Sequence, residues 1–220
     1  MIELKLATKT YTLGGEAIHA LDHVSLKIDK GEFVAIVGPS GSGKSTLANV
    51  IGGLDQPDSG EVLIDEQSLA TASDSELSAY RNKKVGFIFQ SFNLQPTYTA
   101  RENVEVPLMF AGLAGGKRRE RAEACWKLVG LADRMNHKPG ELSGGQRQRV
   151  CIARALANEP EIIIADEPTG NLDSSKSAEI IGLMKSLNKE AGLTLVVITH
   201  DPTVAKQAGR VISIQDGKLR

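Results

Sequence analysis

The nine residues Gly38-Pro39-Ser40-Gly41-Ser42-Gly43-Lys44-Ser45-Thr46 leave this chain few folds to choose from. The apolar run Phe33-Val34-Ala35-Ile36-Val37 precedes them, and Leu47-Ala48-Asn49-Val50-Ile51 follows with the character of a helix. Strand, glycine-rich turn and helix with the spacing G-x-x-x-x-G-K-[ST] make a phosphate-binding loop. Glycines let the backbone wrap a phosphate closely enough for several N–H groups to point inward. The helix N-terminus adds its partial positive charge. Lys44 is placed to reach the β- and γ-phosphates, and the Ser45 hydroxyl to take one position on Mg²⁺. The stretch from Gly38 to Thr46 therefore predicts a nucleoside-triphosphate site.

The rest of the composition narrows the setting. A chain of 220 residues buries about 70% of its unfolded surface and needs neither disulfide nor metal to stay folded. The two cysteines, Cys125 and Cys151, fall in helical stretches without C-x-x-C spacing, so they read as core packing in a reducing compartment. Twenty-six basic against 27 acidic residues, a net charge of -1, supply no general drive toward nucleic acid or anionic lipid. Glu3 and Lys5 interrupt the start, so no signal peptide is expected there. Apolar runs stay under ten residues, short of the ~20 that a membrane helix needs. The expectation is a cytosolic chain unless a partner holds it at a membrane.

In chain order, residues 2–7 and 24–28 alternate apolar and polar, as half-exposed strands do. Tyr11 and a Gly14-Gly15 turn lie between them, and Glu61–Asp65 adds a strand after the turn signal Pro57-Asp58-Ser59-Gly60. These elements predict an N-terminal antiparallel β lobe with the phosphate loop placed within it. Val85–Phe89 reads as a short buried strand ending at Gln90, followed by a polar and aromatic loop to Arg101. Residues 117–130 carry Ala122, Cys125, Trp126 and Val129 at helical spacing; Trp126 reads as core, and Arg118, Arg119 and Arg121 as a solvated face. Ser143 with Gln146 three residues on is a capping box opening a helix through Ala157. Gly144 and Gly145 weaken that first turn by up to ~1 kcal/mol each, which suggests that a ligand must approach bare backbone there.

Pro160 ends that helix, and Glu161–Ala165 reads as a fully buried strand delivering Asp166 and Glu167 at its carboxyl end. A helix near 174–191 precedes Leu193–Thr199, which delivers His200, and Val211–Ile214 closes the chain before a turn at Asp216-Gly217. Gln90, Asp166 with Glu167, and His200 thus all follow apolar strands, and ligands of α/β sheets bind at that edge. Asp166 is placed to hold Mg²⁺ directly or through water, as a Walker B carboxylate does. Mg²⁺ needs only one or two protein oxygens, so Ser45 and Asp166 suffice, with Gln90 a further contact to the ion and to the attacking water. Glu167 can orient or deprotonate that water, and His200 can bond the γ-phosphate.

From Tyr11 to His200 the chain resembles the nucleotide-binding subunit of ATP-binding-cassette transporters. Leu142-Ser143-Gly144-Gly145-Gln146 is similar to the family's signature motif, Gly170-Asn171-Leu172-Asp173 to its D-loop, and Tyr11 to the aromatic residue that stacks on adenine. The resemblance implies an α/β fold: a P-loop NTPase core with a mostly parallel sheet, an N-terminal antiparallel β lobe and a helical lobe carrying the signature. It implies one domain over 1–220, with the core at about 1–90 and 160–220 and the helical lobe at about 91–159. It also implies Mg-dependent ATP hydrolysis in a head-to-tail dimer. There Ser143, Gly144, Gly145 and Gln146, with Asp173 nearby, meet ATP bound to the phosphate loop of a second copy. A membrane permease is the other implied partner, docking near Gln90–Tyr98 on an apolar rim of Phe92, Leu94 and Tyr98 at the cytoplasmic face of the cell membrane.

Within the family, residues 89–104 and 168–173 resemble the branch of lipoprotein-release, macrolide-export and antimicrobial-peptide-resistance ATPases. Gln95 stands where that branch often has leucine and Arg147 where it often has glutamine, so the cargo stays open. A soluble cassette acting on DNA or ribosomes is the rival. Fewer than 100 residues separate loop from signature, without sustained heptads, and the charge is near neutral. Neither favours a nucleic-acid partner.

Overall fold

The computed structural model describes residues 1–220. In chain order the elements are β1 (Ile2–Leu13), β2 (Glu16–Ile28), β3 (Phe33–Val37), α1 (Lys44–Ile51), β4 (Ser59–Ile64), β5 (Gln67–Ser68), α2 (Asp74–Lys84) and β6 (Val85–Phe89). There follow α3 (Ala100–Phe110), α4 (Gly115–Val129), two single 3₁₀ turns, and α5 (Gly144–Leu156). The chain ends with β7 (Ile162–Asp166), α6 (Ser174–Ala191), β8 (Thr194–Ile198), α7 (Pro202–Ala205), β9 (Arg210–Gln215) and β10 (Lys218–Leu219). No helix is long and apolar enough to cross a membrane.

The alternating segments form an antiparallel sheet in the order β2-β1-β4-β5. Its one buried face carries Ile2, Leu4, Leu21, Val24, Ile28 and Val62. The unbroken apolar runs form a second sheet, β10-β9-β3-β8-β7-β6, in which every neighbouring pair is parallel except β10 with β9. The reading that put the phosphate loop within the antiparallel lobe is thereby corrected: β3, which leads into the loop, belongs to the parallel sheet. The physical reason is two-sided burial. Phe33, Val34, Ala35 and Ile36 are all buried, and such a strand fits only a sheet covered on both faces.

That sheet divides the molecule into two cores. Val34, Ile36, Ile164 and Val196 point into one core with the antiparallel sheet and with Leu47 and Ile51 of α1. Phe33, Ile163, Ala165 and Leu195 point into the other with α3, α4, α5 and α6. Trp126 lies in the second core and is wholly buried, as its spacing predicts. Arg118 and Arg121 do not form a free solvated face. Arg121 donates to the carbonyls of Ala157 (2.9 Å) and Leu156 (3.3 Å), and Arg118 to that of Leu113 (2.9 Å). Arg121 thus satisfies carbonyls that the end of α5 leaves unpaired, while Arg119 stays exposed.

Helix α2 escapes a search for apolar periodicity because Leu77 is its only buried residue. Its signal is the capping box of Ser73 and Glu76, reinforced by Arg81, Lys83 and Lys84 in the last turn. Strand β6 approaches α5 so closely that a Cβ at Gly86 would stand 2.4 Å from the carbonyl oxygen of Ala155. Gly86→Ala is therefore expected to cost about 1–3 kcal/mol, seen as a lower urea midpoint at unchanged slope. An unaltered midpoint would contradict this packing.

Candidate functional site

Register aligns the strand ends. Phe89 of β6 pairs with Asp166 of β7, Asp166 with Ile198 of β8, and Ile198 with Ile36 of β3. Gln90, Glu167, the Thr199–His200 pair and the loop after Val37 therefore leave the sheet along one edge. Two glycines of that loop answer a steric demand from outside it. A Cβ at Gly43, whose φ is +103°, would lie 2.1 Å from the carbonyl oxygen of Ala20, and one at Gly38 would lie 2.1 Å from that of Ile214. Bare backbone lets the loop press against β2 and β9. No side chain caps α1 at Gly43, so its first N–H groups stay available to an anion.

Lys44 folds its ammonium back over the loop and donates to the carbonyls of Gly38 (2.9 Å) and Pro39 (2.7 Å). The Ser45 hydroxyl donates to Asp166 Oδ2 at 3.1 Å. Burial pushes the Asp166 carboxyl above its ordinary 3.8; the neighbouring Glu167 charge adds to this, and the Ser45 hydrogen bond and Lys44 oppose it. Glu167 stands in the left-handed region at φ +47°, and its N–H is held by the carbonyl of Ile198 at 2.9 Å. Its side chain faces the next strand end. Oε1 lies 2.7 Å from His200 Nδ1 and accepts the His200 N–H at 3.1 Å, while Thr199 Oγ1 reaches Oε2 at 3.4 Å.

The structure thus joins Ser45 to Asp166, and Glu167 to His200. It turns Gln90 elsewhere. A Cβ at Gly170 would lie 2.7 Å from Gln90 Nε2, so that amide rests on the segment after Glu167, and Asn171 Nδ2 donates to the Gln90 carbonyl at 2.7 Å. Asp173 caps α6 by accepting from Lys176 N at 2.9 Å. Ser143 and Gln146 form the reciprocal box that the sequence predicts. The two glycines inside that box also have a packing partner in this chain. Cβ atoms there would stand 3.1 Å from Leu172 Cδ2 and 3.3 Å from Lys176 Cδ, so the bare backbone admits α6 and the turn before it.

Two residues beside Tyr11, Lys9 and Asp55, belong to the site without a sequence signal of their own. The Tyr11 hydroxyl donates to Asp55 Oδ2 at 2.6 Å, and Lys9 Nζ meets Asp55 Oδ1 at 2.8 Å. This fixes the ring next to Thr46, leaving it partly exposed. Lys9 and Tyr11 alternate onto one face of β1, but Asp55 lies 44 residues away, and no local pattern announces that pairing. The expected apolar rim is corrected as well. Phe92 and Leu94 are half-buried against the helical core, and of the three only Tyr98 is exposed. Beside them runs a groove of about 1030 Å³ lined by Phe87, Phe89, Asn93, Phe110 and Arg154, with Phe110 83% exposed.

A phosphate loop after one parallel strand, with an acidic pair ending a second strand and facing it, defines a P-loop nucleoside triphosphatase. The chain belongs to the ABC transporter family, whose family model matches residues 21–170, and it is an ATPase subunit of that family. An uncharacterized ABC transporter ATP-binding protein of Methanocaldococcus jannaschii is 55% identical over 100% of this chain and 95% of its own length. A solved dimeric post-hydrolysis state of the cassette MJ0796, bound to ADP and Pi, superposes with a TM-score of 0.92 at 53% identity, covering 100% of this chain and 97% of that one. The macrolide export ATP-binding/permease protein MacB of Hyphomonas neptunium is 51% identical over 100% of this chain, which spans 34% of that protein.

The Glu167–His200 pair makes a pH prediction. The hydrogen bond to Glu167, then its charge, raises the His200 pKa above 6.5. The group is raised, so the bond's ionic contribution is full below 6.5 and fades as pH climbs through the raised value. An NMR titration of His200 is expected to give a midpoint above 6.5, and Glu167→Gln to bring it down. Identical midpoints in the two proteins would refute the pairing.

Proposed function

We propose that this chain is the motor of a membrane transporter, binding two ATP in a head-to-tail dimer with a second copy and driving a separate permease subunit. The observation that carries the reading is the placement of two helix starts, that of α1 after the phosphate loop and that of α5 at Ser143. Helix α1 packs on one face of the parallel sheet and α5 on the other, and no hydrogen bond links Ser143–Gln146 to Gly38–Thr46. A second copy supplies what one chain keeps apart: the signature of each meets the nucleotide of the other. The solved relative is likewise dimeric, with ADP and Pi.

In this arrangement Gly38 to Thr46 wrap the phosphates, and Lys44 turns from its loop carbonyls to the β- and γ-oxygens. Tyr11, braced by Asp55, stacks on adenine. The residues present suit Mg²⁺. Ser45 Oγ and Asp166 Oδ2 are hard oxygen donors 3.1 Å apart, and the raised Asp166 pKa marks a half-buried carboxylate that a divalent cation would stabilise. When bound, the ion neutralises charge on the phosphate oxygens. Gln90 would offer its amide oxygen as a further contact to that ion and to the attacking water. Glu167 orients the water or takes its proton, and His200, released from Glu167, bonds the γ-phosphate. Ser143, Gly144, Gly145 and Gln146, with Asp173 at the start of α6, hold the partner's nucleotide.

The permease reading draws support from relatives such as MacB, in which an ATP-binding and a permease part share one name and one chain. A helix from the permease would seat in the groove lined by Phe89, Asn93 and Phe110, holding the chain at the cytoplasmic face of the membrane. Lipoprotein release or export of drugs or antimicrobial peptides is the cargo class that residues 89–104 favour.

Glu167→Gln is expected to keep ATP affinity, lose about 10²–10⁴-fold in turnover and accumulate an ATP-bound dimer in gel filtration. Hydrolysis at the native rate would remove Glu167 from the base role. Phe110→Asp is expected to retain ATP binding but lose co-purification with the permease subunit; undiminished co-purification would move the docking site elsewhere.

A further inference from the structure

Two consecutive residues after Gln90 stand in left-handed backbone, Phe92 at φ +62° and Asn93 at +51°. For a bulky side chain such as Phe that is an outlier, and such geometry persists only where the surroundings over-determine it. Here the hold comes from one helix. Arg154 spreads its fork over both carbonyls, Nη2 donating to Phe92 at 2.8 Å and Nη1 to Asn93. The Cys151 thiol donates to the same Phe92 carbonyl at 3.2 Å, and the Arg147 guanidinium lies over the Phe92 ring with Cζ 4.9 Å from its centroid. Residues 147, 151 and 154 recur at i, i+4 and i+7, one face of α5. That helix begins at the signature.

The other end of the turn is tied too. The Gln90 carbonyl takes the Asn171 amide, and its side chain rests on Gly170, three residues after Glu167. On the outside, Asn93 and Arg154 both line the groove beside Phe110. One short segment therefore touches the groove, the strand end bearing Gln90, and the helix bearing Ser143–Gln146.

We propose that Arg154 is a positioning residue for the ATP-dependent dimer: by bridging the Phe92 and Asn93 carbonyls it locks this turn to α5 and sets where the signature stands relative to Gln90 and Glu167. Arg147 steadies the same turn from the ring side. Arg154 itself touches no nucleotide. A planar fork matches two neighbouring carbonyls at once, which the single ammonium of lysine does not. The inference rests on the head-to-tail dimer reading above.

The test uses Glu167→Gln as parent and adds Arg154→Ala or Arg154→Lys. ATP binding is measured below the dimerisation concentration, the dimer by sedimentation, and folding by urea midpoint. Arg154→Ala is expected to leave ATP affinity of the monomer within about twofold while weakening the ATP-dependent dimer about tenfold or more, the scale of lost charge-assisted hydrogen bonds. Arg154→Lys is expected to fall short of the parent. Full dimerisation of either variant overturns the proposal, as does loss of ATP affinity in step with the loss of dimer. Should Arg154→Ala fail to fold, the lysine variant decides. A parent that forms no ATP-dependent dimer overturns the head-to-tail reading and this inference with it.

Discussion

A parallel sheet covered on both faces has only its ends open, and the polar chemistry of this chain is gathered at one of them. Four neighbouring strands reach that edge in register, through Phe89, Asp166, Ile198 and Ile36. The residues that follow them cannot continue a buried ladder, so they emerge together. Everything nearby depends on that alignment. The Ser45–Asp166 bond spans 121 residues of sequence and the Glu167–His200 pair spans 33; the second joins the ends of adjacent strands, and the first reaches from the start of α1 across the end of β8 to β7.

The edge carries backbone strain that the sheet supports. A non-glycine residue held in left-handed backbone costs about 1–2 kcal/mol, and Glu167, Phe92 and Asn93 all adopt it. Each is fastened by strong donors or acceptors: Glu167 by the Ile198 carbonyl and His200, Phe92 and Asn93 by Arg154. Strain at such points gives a site discrete alternatives rather than a continuum. The raised Asp166 pKa belongs to the same picture, since the carboxylate is kept half-buried beside a second acid with only a hydroxyl bonded to it.

The division into two cores gives the helices their separate duties. α1 is packed between the sheets, while α3, α4 and α5 share a core on the far face. The signature therefore belongs to the helical core, and the turn at Phe92–Asn93 links that core to the strand edge. Arg121 bonds the carbonyl of Ala157 and Arg154 bonds those of Phe92 and Asn93, so the C-terminal end of α5 is fixed by two arginines bonding main-chain carbonyls.

What the amino-acid sequence determined by itself was local and periodic. The unbroken apolar runs at 33–37 and 162–165 dictated buried strands, the spacing from Gly38 to Thr46 a phosphate loop, and the Ser143–Gln146 box the start of α5, because each is a pattern within a few residues. α2 slipped past a search for apolar stripes since it buries a single leucine. Tertiary structure alone decided which sheet takes β3, that Asp55 braces Tyr11, that Gln90 lies on Gly170, that Arg121 binds the end of α5, and that Phe92 turns inward beneath Arg147. These are pairings across 36 to 81 residues, or choices between two faces of one sheet. They follow from which surfaces are buried together, and no short-range spacing in the chain encodes that.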